Sequence, residues 1–400
     1  MLLDTYLSFH GTNLSELTKL VQEQLSPQPR ELIYLTGSLV EGSGNFRSDI
    51  DIYLISDRDF SERFTCASVI IIPFATCPVD VEVLSFARVN ELIDRLQKFP
   101  SGEERDPREA LAFSLPEIKF LHNLLIAKPL FSEKAFLDLV GGVDKRNLSR
   151  IIFDRSTVGV SSVYIDILGL IEDADYLSAR YLLNQLLGYL GSAFLAALGN
   201  TNPAEKWMVR KLSEFKNSSA RECLPQRGTV GSVAAMFSDL YIQCDPTAYS
   251  VKTELARIIR LSNVVIPWGQ RRFLANDLLQ PCHHQHSSEA ITYAADEDHC
   301  DNAEGLLQDT SYYEDETLLP QLDLNCRIQY DPQGYRMSHL YSTKTVYINE
   351  AAYELLLCFN GNTTVAEAAA LLKSFCPASS HEIIATINDF KSFLQDNDFS

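Results

Sequence analysis

The chain has 400 residues, 46% of them hydrophobic, and a formal net charge of −19. That length exceeds one typical domain and supplies enough apolar residues for sizeable cores. The excess of acid argues against broad binding to DNA, RNA or an anionic membrane, and nine cysteines without framework spacing fit a reducing compartment.

The first residues, MLLDTYLSFHGTNLS, lack the basic flank and long apolar run of a secretory signal. Residues 13–25, NLSELTKLVQEQL, place apolar side chains at 14, 17, 20, 21 and 25. That spacing predicts a helix, capped by Asn13 and ended by Pro27 and Pro29. Residues 31–56, ELIYLTGSLVEGSGNFRSDIDIYLIS, predict a strand, a Gly37-Ser38 turn, a loop and a second strand. In that second strand Asp49 and Asp51 alternate with Ile50 and Ile52, so both carboxylates leave one face. Adjacent carboxylates repel, and a divalent cation removes that cost. Hard oxygen donors suit Mg²⁺ bound together with phosphates, and glycine permits the close backbone approach that phosphate binding uses. Further short strands are predicted at 69–74, VIIIPF, and at 79–84, VDVEVL. In the latter, Asp80 and Glu82 share a face.

The pattern G-S-x10-D-I-D-I resembles the signature of the DNA polymerase β-like nucleotidyltransferase superfamily. It is closest in style to the small bacterial and aminoglycoside nucleotidyltransferases. The resemblance implies that Gly37, Ser38 and Ser48 hold the triphosphate of an NTP co-substrate. It implies that Asp49 and Asp51 hold Mg²⁺, with Mn²⁺ as the alternative ion. The family also uses a third carboxylate on a neighbouring strand, as metal ligand or base. Periodicity does not separate Asp80 from Glu82. Glu82 is preferred, because VEV before a polar helix start looks like the aminoglycoside branch, and Asp80 is the runner-up. Residues 1–107 are then the α/β catalytic domain, closed by the polar joint SGEERDPR at 101–108.

Residues 108–280 read as an α-helical domain. KFLHNLLIAKPLF ends in a Lys-Pro break that resembles the exit from a small nucleotidyltransferase core. Tyr176–Leu198 is Leu-rich and predicts one buried helix or a pair, while Asn184, Gln185, Gly188, Gly191 and Ser192 disqualify it as a membrane span. Residues 202–215, NPAEKWMVRKLSEF, start a helix at Pro203. Lys206, Arg210 and Lys211 follow at i, i+4 and i+5 and share a cationic surface. That surface is either solvated or a phosphate clamp. The K-W-h-h-x-K-L pattern is similar to the helical half of several nucleotidyltransferases, which implies nucleotide contacts for Lys206 and Arg210. Arg271 and Arg272 are assigned no role.

Residues 281–320 form an acidic flexible linker, with nine acids between Asp296 and Glu316. It contains Cys282, His283, His284, His286, His299 and Cys300, whose spacing matches no zinc pattern. Residues 321–400 predict the order β-β-β-α-α-α, a winged-helix (β3α3) module. Asn349 caps its first helix, Asn360-Gly361 stops it, Thr364 and Glu367 form a capping box, Pro377 breaks the chain and Ser380 starts the last helix. V-Y-I-N-E-A-A-Y-E-L-L, N-G-N-T-T-V-A-E and the final I-x-x-F-x-x-F-L resemble PqqD-like domains, which recognise leader peptides of ribosomally made natural products. The resemblance implies that a leader or precursor peptide adds as a strand near Arg336–Leu340 or Thr345–Ile348, against Ile387 and Phe390. The last helix has too many acids to recognise a DNA backbone. The expectation is a cytoplasmic, metal-dependent nucleotidyltransferase acting on a peptide or peptide-borne acceptor. Small-molecule or protein nucleotidylation, or a non-catalytic nucleotide-sensing adaptor, are the alternatives.

Overall fold

A computed structural model of the chain describes residues 1–60, 69–74, 77–100, 106–215, 229–240, 245–275, 317–340, 345–373, 380–397 and 399. The chain divides into one unit of 1–162 with 191–214, and a second of 163–190 with 215–400. The helical stretch expected as a domain of its own, 108–280, is therefore shared between the two. Most of the expected linker, its Cys and His residues, and Pro377 lie outside the described residues.

The first unit is built on a mixed sheet ordered β3-β4-β2-β1-β5. Its strands are β1 Leu32–Thr36, β2 Ile50–Ile55, β3 Val69–Phe74, β4 Cys77–Leu84 and β5 Lys128–Phe131. Strands β2 and β4 run parallel, and the remaining neighbours are antiparallel. Parallel pairing follows from the chain between them, which passes through β3 before returning as β4. One face of β2 and β4 is apolar and buried: Ile50, Ile52 and Leu54, with Val79 and Val81. These pack with Leu17, Val21 and Leu25 of α2 (Leu14–Leu25) and with Leu3, Tyr6 and Leu7 of α1 (Leu3–Phe9). The Asn13 side chain accepts from the Glu16 N–H at 3.0 Å, which starts α2 where the sequence pattern places it.

Between β1 and β2 the chain forms one four-residue helix, α3 (Ser38–Glu41), directly after Gly37. After β4, α4 (Phe86–Gln97) is capped by Ser85. Next, α5 (Leu115–Ile126) opens with a Ser114/Glu117 capping box and leads into β5. There follow α6 (Glu133–Val140), α7 (Lys145–Glu172) and α8 (Tyr176–Ala197), the last a single helix rather than a pair. The division between units falls within α7 and α8. Residues 202–215 are a 3₁₀ turn, Glu205–Trp207, followed by α9 (Met208–Phe215), not one continuous helix from Pro203.

The second unit contains α10 (Val230–Leu240), α11 (Ala248–Leu274), β6 (Cys326–Asp331), β7 (Gly334–His339) and β8 (Thr345–Ile348). It ends with α12 (Glu350–Cys358), α13 (Val365–Lys373) and α14 (Ser380–Asp396). The three strands form an antiparallel sheet ordered β6-β7-β8, and the β-β-β-α-α-α order is present. The Asn349 cap and the Thr364/Glu367 reciprocal pair both form. The module has company, however. Asn263 and Gln270 of α11 accept from the outward N–H groups of Ile328 and Tyr330, at 3.2 and 2.7 Å, so α11 closes the β6 edge. Arg336–Leu340 falls largely on β7, the middle strand, whose two sides are already paired. It offers no edge for an added strand, which corrects one of the two expected peptide positions.

No helix among the described residues is long and apolar enough to cross a membrane.

Candidate functional site

The strand register assembles the acids. Asp51 pairs with Thr36 on β1 and with Asp80 on β4, while Glu82 pairs with Tyr53 one step further along. Asp49 immediately precedes β2. The side-chain alternation therefore gathers Asp49, Asp51, Asp80 and Glu82 on the sheet face opposite the apolar core. Glu82 is the preferred third carboxylate of the sequence reading, yet Asp80 is the one directly beside Asp51.

Asp51 and Asp80 feel the acids beside them. Burial raises the Asp51 carboxyl most, Lys119 opposes it, and Asp49, Glu82 and Asp80 add to the rise, leaving it at about 6. Asp80 is also raised, by burial and then by Asp49 and Glu82. Lys119, on α5, has its Nζ 4.0 Å from Glu82 Oε1. Burial and the Glu82 charge push the Tyr53 hydroxyl upward as well.

The loop before these acids is held by contacts that fit few other residues. Gly37 has φ of +81°, and a Cβ there would lie 1.9 Å from Asp51 Oδ2. Glycine alone lets the backbone lie against that carboxylate in this conformation. Ser38 starts α3, and its hydroxyl is 3.5 Å from that of Ser48. Ser48 accepts from the Asn45 N–H at 2.9 Å, and its carbonyl accepts from the Tyr6 hydroxyl at 2.7 Å. Ser48 thus shapes the approach to Asp49. Together Gly37, Ser38, Ser48, Asp49 and Asp51, with Lys119 and Lys206, line a cavity of about 300 Å³. Trp207 is on its wall, with Lys206 Nζ 5.2 Å and Arg210 Cζ 5.3 Å from the ring centre.

Behind the loop lies a buried polar network. Glu41 ends α3 and meets Lys211 Nζ at 2.5 Å, Asn202 Nδ2 at 2.6 Å and His122 Nε2 at 3.4 Å. The His122 Nδ1 is 2.9 Å from the Thr201 hydroxyl. With the proton on Nε2, Nδ1 accepts from Thr201 and the ring faces the carboxylate as a donor. Burial pushes Glu41 up, but the hydrogen bond and charge of His122, then Lys211, hold it at about 2.

This corrects the picture of one cationic surface. Lys206 faces the cavity, but Lys211 is buried against Glu41, and Arg210 donates to the Ser43 and Gly44 carbonyls, which secures the loop from behind. Sequence reasoning missed Glu41, Lys119, His122 and Asn202. The one available signal was a polar pair, His122-Asn123, inside the apolar run KFLHNLLI.

Hard carboxylate oxygens crowded on one face fit a divalent cation of the Mg²⁺ class. Among the described residues no three acids, histidines or cysteines converge as a complete metal-ligand group.

No protein-family model and no curated protein sequence matches the chain. Among solved structures it is similar to a nucleotidyltransferase-like protein from Exiguobacterium sibiricum. The two are 12% identical, the alignment covers 64% of this chain and 78% of the other, and the TM-score is 0.38.

Proposed function

We propose that the first unit is a nucleotidyltransferase that moves an NMP group from an NTP onto an acceptor oxygen, with release of pyrophosphate. The observation that carries this is the Gly37 turn lying against the Asp51 carboxylate in a cavity shared with Asp49, Lys119 and Lys206. Backbone N–H groups of the turn and the Ser38 hydroxyl hold the triphosphate, and Lys206 and Lys119 offset its charge. Asp49 and Asp51 hold Mg²⁺, which supplies Lewis-acid stabilisation of the charge on the phosphates when bound. The register supports Asp80 as the third carboxylate, with Glu82 beside Lys119. A carboxylate of this row takes the proton of the acceptor.

The second unit supports a docking role for an extended peptide. With β6 closed by α11 and β7 in the middle, β8 is the edge of this sheet without a partner strand among the described residues. Thr345–Ile348 would pair with the peptide backbone, as in strand addition generally.

The test is direct. The full chain is incubated with Mg²⁺ and each α-labelled NTP, alone and with a panel of synthetic extended peptides. Label on a peptide, lost in Asp49→Asn and Asp51→Asn, is the expected result. Tight peptide binding without pyrophosphate release would identify an adaptor instead.

A further inference from the structure

The first unit has a second cavity, of about 650 Å³, beside the first. The two share Arg47, Ser48 and Asp49 as wall residues. Their chemistry differs. Where the first is lined by the phosphate-type turn and cations, the second carries Tyr6, Phe9, His10 and Phe46. Phe9 and Phe46 are 65% and 56% exposed, yet their ring centres are only 4.7 Å apart at a tilt of 56°. His10 continues the surface, 5.2 Å from Phe9 and edge-on to it. Two large rings held against each other at the mouth of a cavity are an open aromatic surface next to a carboxylate.

We propose that this second cavity is the acceptor subsite, and that it takes a phenolic hydroxyl, with the ring against Phe9 and Phe46 and the oxygen directed to Asp49. The inference rests on the nucleotidyltransferase reading of the first cavity.

Three observations select this occupant. Trp207 already offers a nucleobase a ring within the first cavity, so the Phe9–Phe46 pair is not needed for the base. Asp80 and Glu82, the acids of the Asp49 sheet face not assigned to Mg²⁺, disfavour a carboxylate or phosphate acceptor. A neutral phenol meets no such repulsion, and its ordinary pKa of about 10 yields its proton more readily than an alkyl alcohol. Arg47, on the shared wall, is placed to favour the phenolate.

The step balances without a further reagent. The phenolic oxygen forms a bond to the α-phosphorus, and the bond from that phosphorus to the β-bridging oxygen breaks. Pyrophosphate leaves with the bonding pair, and the phenolic proton passes to the third carboxylate of the row, Asp80, and on to solvent. The product is an aryl nucleoside monophosphate diester.

The experiment uses the full chain with Mg²⁺ and each of the four NTPs. The acceptor probes are N-acetyltyrosinamide, a tyrosine-containing pentapeptide, 4-ethylphenol, N-acetylserinamide and N-acetylphenylalaninamide. Transfer is followed by mass and pyrophosphate release. The expected result is label on the phenols and none on the serine or phenylalanine probes. Labelling of the peptide in preference to 4-ethylphenol identifies a polypeptide source, and the reverse a small phenol. Phe9→Ala and Phe46→Ala each raise the acceptor KM about tenfold, Phe46→Trp restores it, and NTP affinity read by tryptophan fluorescence stays within twofold. Equal transfer to serine, no transfer to any phenol, or a loss of NTP affinity in the Phe variants overturns the inference. If no probe and no NTP yields pyrophosphate, and NTP does not bind, the transferase reading itself fails. NTP binding or turnover with the wrong acceptor sinks the acceptor inference alone.

Discussion

Replacing Lys211 by Met tests whether the polar network behind the Gly37 loop is a stability element rather than a surface clamp. The Lys211 side chain is 9% exposed and its partner Glu41 13%, and the charges are 2.5 Å apart. Removing one member of a buried pair typically costs about 3–5 kcal/mol, because the other charge is left uncompensated. Glu41 keeps Asn202 at 2.6 Å and His122 at 3.4 Å, which brings this case to the bottom of that range or just below it, about 2–3 kcal/mol. For a unit of this size that lowers Tm by about 5–10 °C. The assay is a double-mutant cycle with Glu41→Gln, read by urea and thermal unfolding at pH 7. Lys211→Met in the Glu41→Gln background should cost at least about 1 kcal/mol less than in the wild type. Additive costs, with coupling below about 0.5 kcal/mol, would refute the reasoning. The same pair makes a pH prediction. Glu41 titrates at about 2 in the folded chain, below its ordinary 4.5. Its contribution is therefore complete above about pH 4.5 and is lost as pH falls toward 2. The depression corresponds to about 3 kcal/mol, and Glu41→Gln should flatten the stability curve in that window.

Gly37→Ala forces a Cβ to within 1.9 Å of Asp51 Oδ2 at a φ of +81°. We expect a stability loss of about 1–3 kcal/mol and weakened NTP binding; unchanged NTP affinity in a fluorescence titration would contradict the loop assignment. Asp51→Asn removes a carboxyl that is raised to about 6 by burial and by its acidic neighbours. A raised acid costs stability above its folded pKa and nothing below its unfolded one. In EDTA the variant should therefore melt several degrees above wild type at pH 7 and level with it near pH 4, while losing transfer activity; a lower melting point at pH 7 would count against the crowded-acid account. Asp80→Asn should reduce transfer by at least a hundredfold and Glu82→Gln by about tenfold, since Asp80 is the residue paired with Asp51. The reverse ranking of kcat would return the role to Glu82.

Much of this architecture was legible in the linear chain because it depends on short periods and local bonds. Alternation in DIDIYLI and VDVEV assigned the acids to one face and the Ile and Val residues to the other, and both strands form that way. Asn13, Asn349 and the Thr364/Glu367 pair cap helices through bonds that span three residues, so their spacing alone reveals them. The glycine of the G-S turn likewise showed in residue type, since a positive φ is a local conformational choice, but the residues after it, expected as turn and loop, form the helix α3.

What the linear pattern did not carry was which element meets which. A two-residue period puts Asp80 and Glu82 on the same face but leaves their register with β2 open, and that register is set by long-range pairing. A helical period groups Lys206, Arg210 and Lys211, yet their separate fates follow from a partner 170 residues away from Lys211, the Glu41 carboxylate. Phe9 and Phe46 meet, and α11 closes β6, through folds of the chain that no spacing announces. The sequence by itself determined the acid-bearing strands, their two faces and several helix caps, because backbone geometry and side-chain period act within a few residues. Tertiary structure decided the third acid's neighbour, the buried lysine and the open strand edge, because desolvation and pairing depend on atoms brought together from distant parts of the chain.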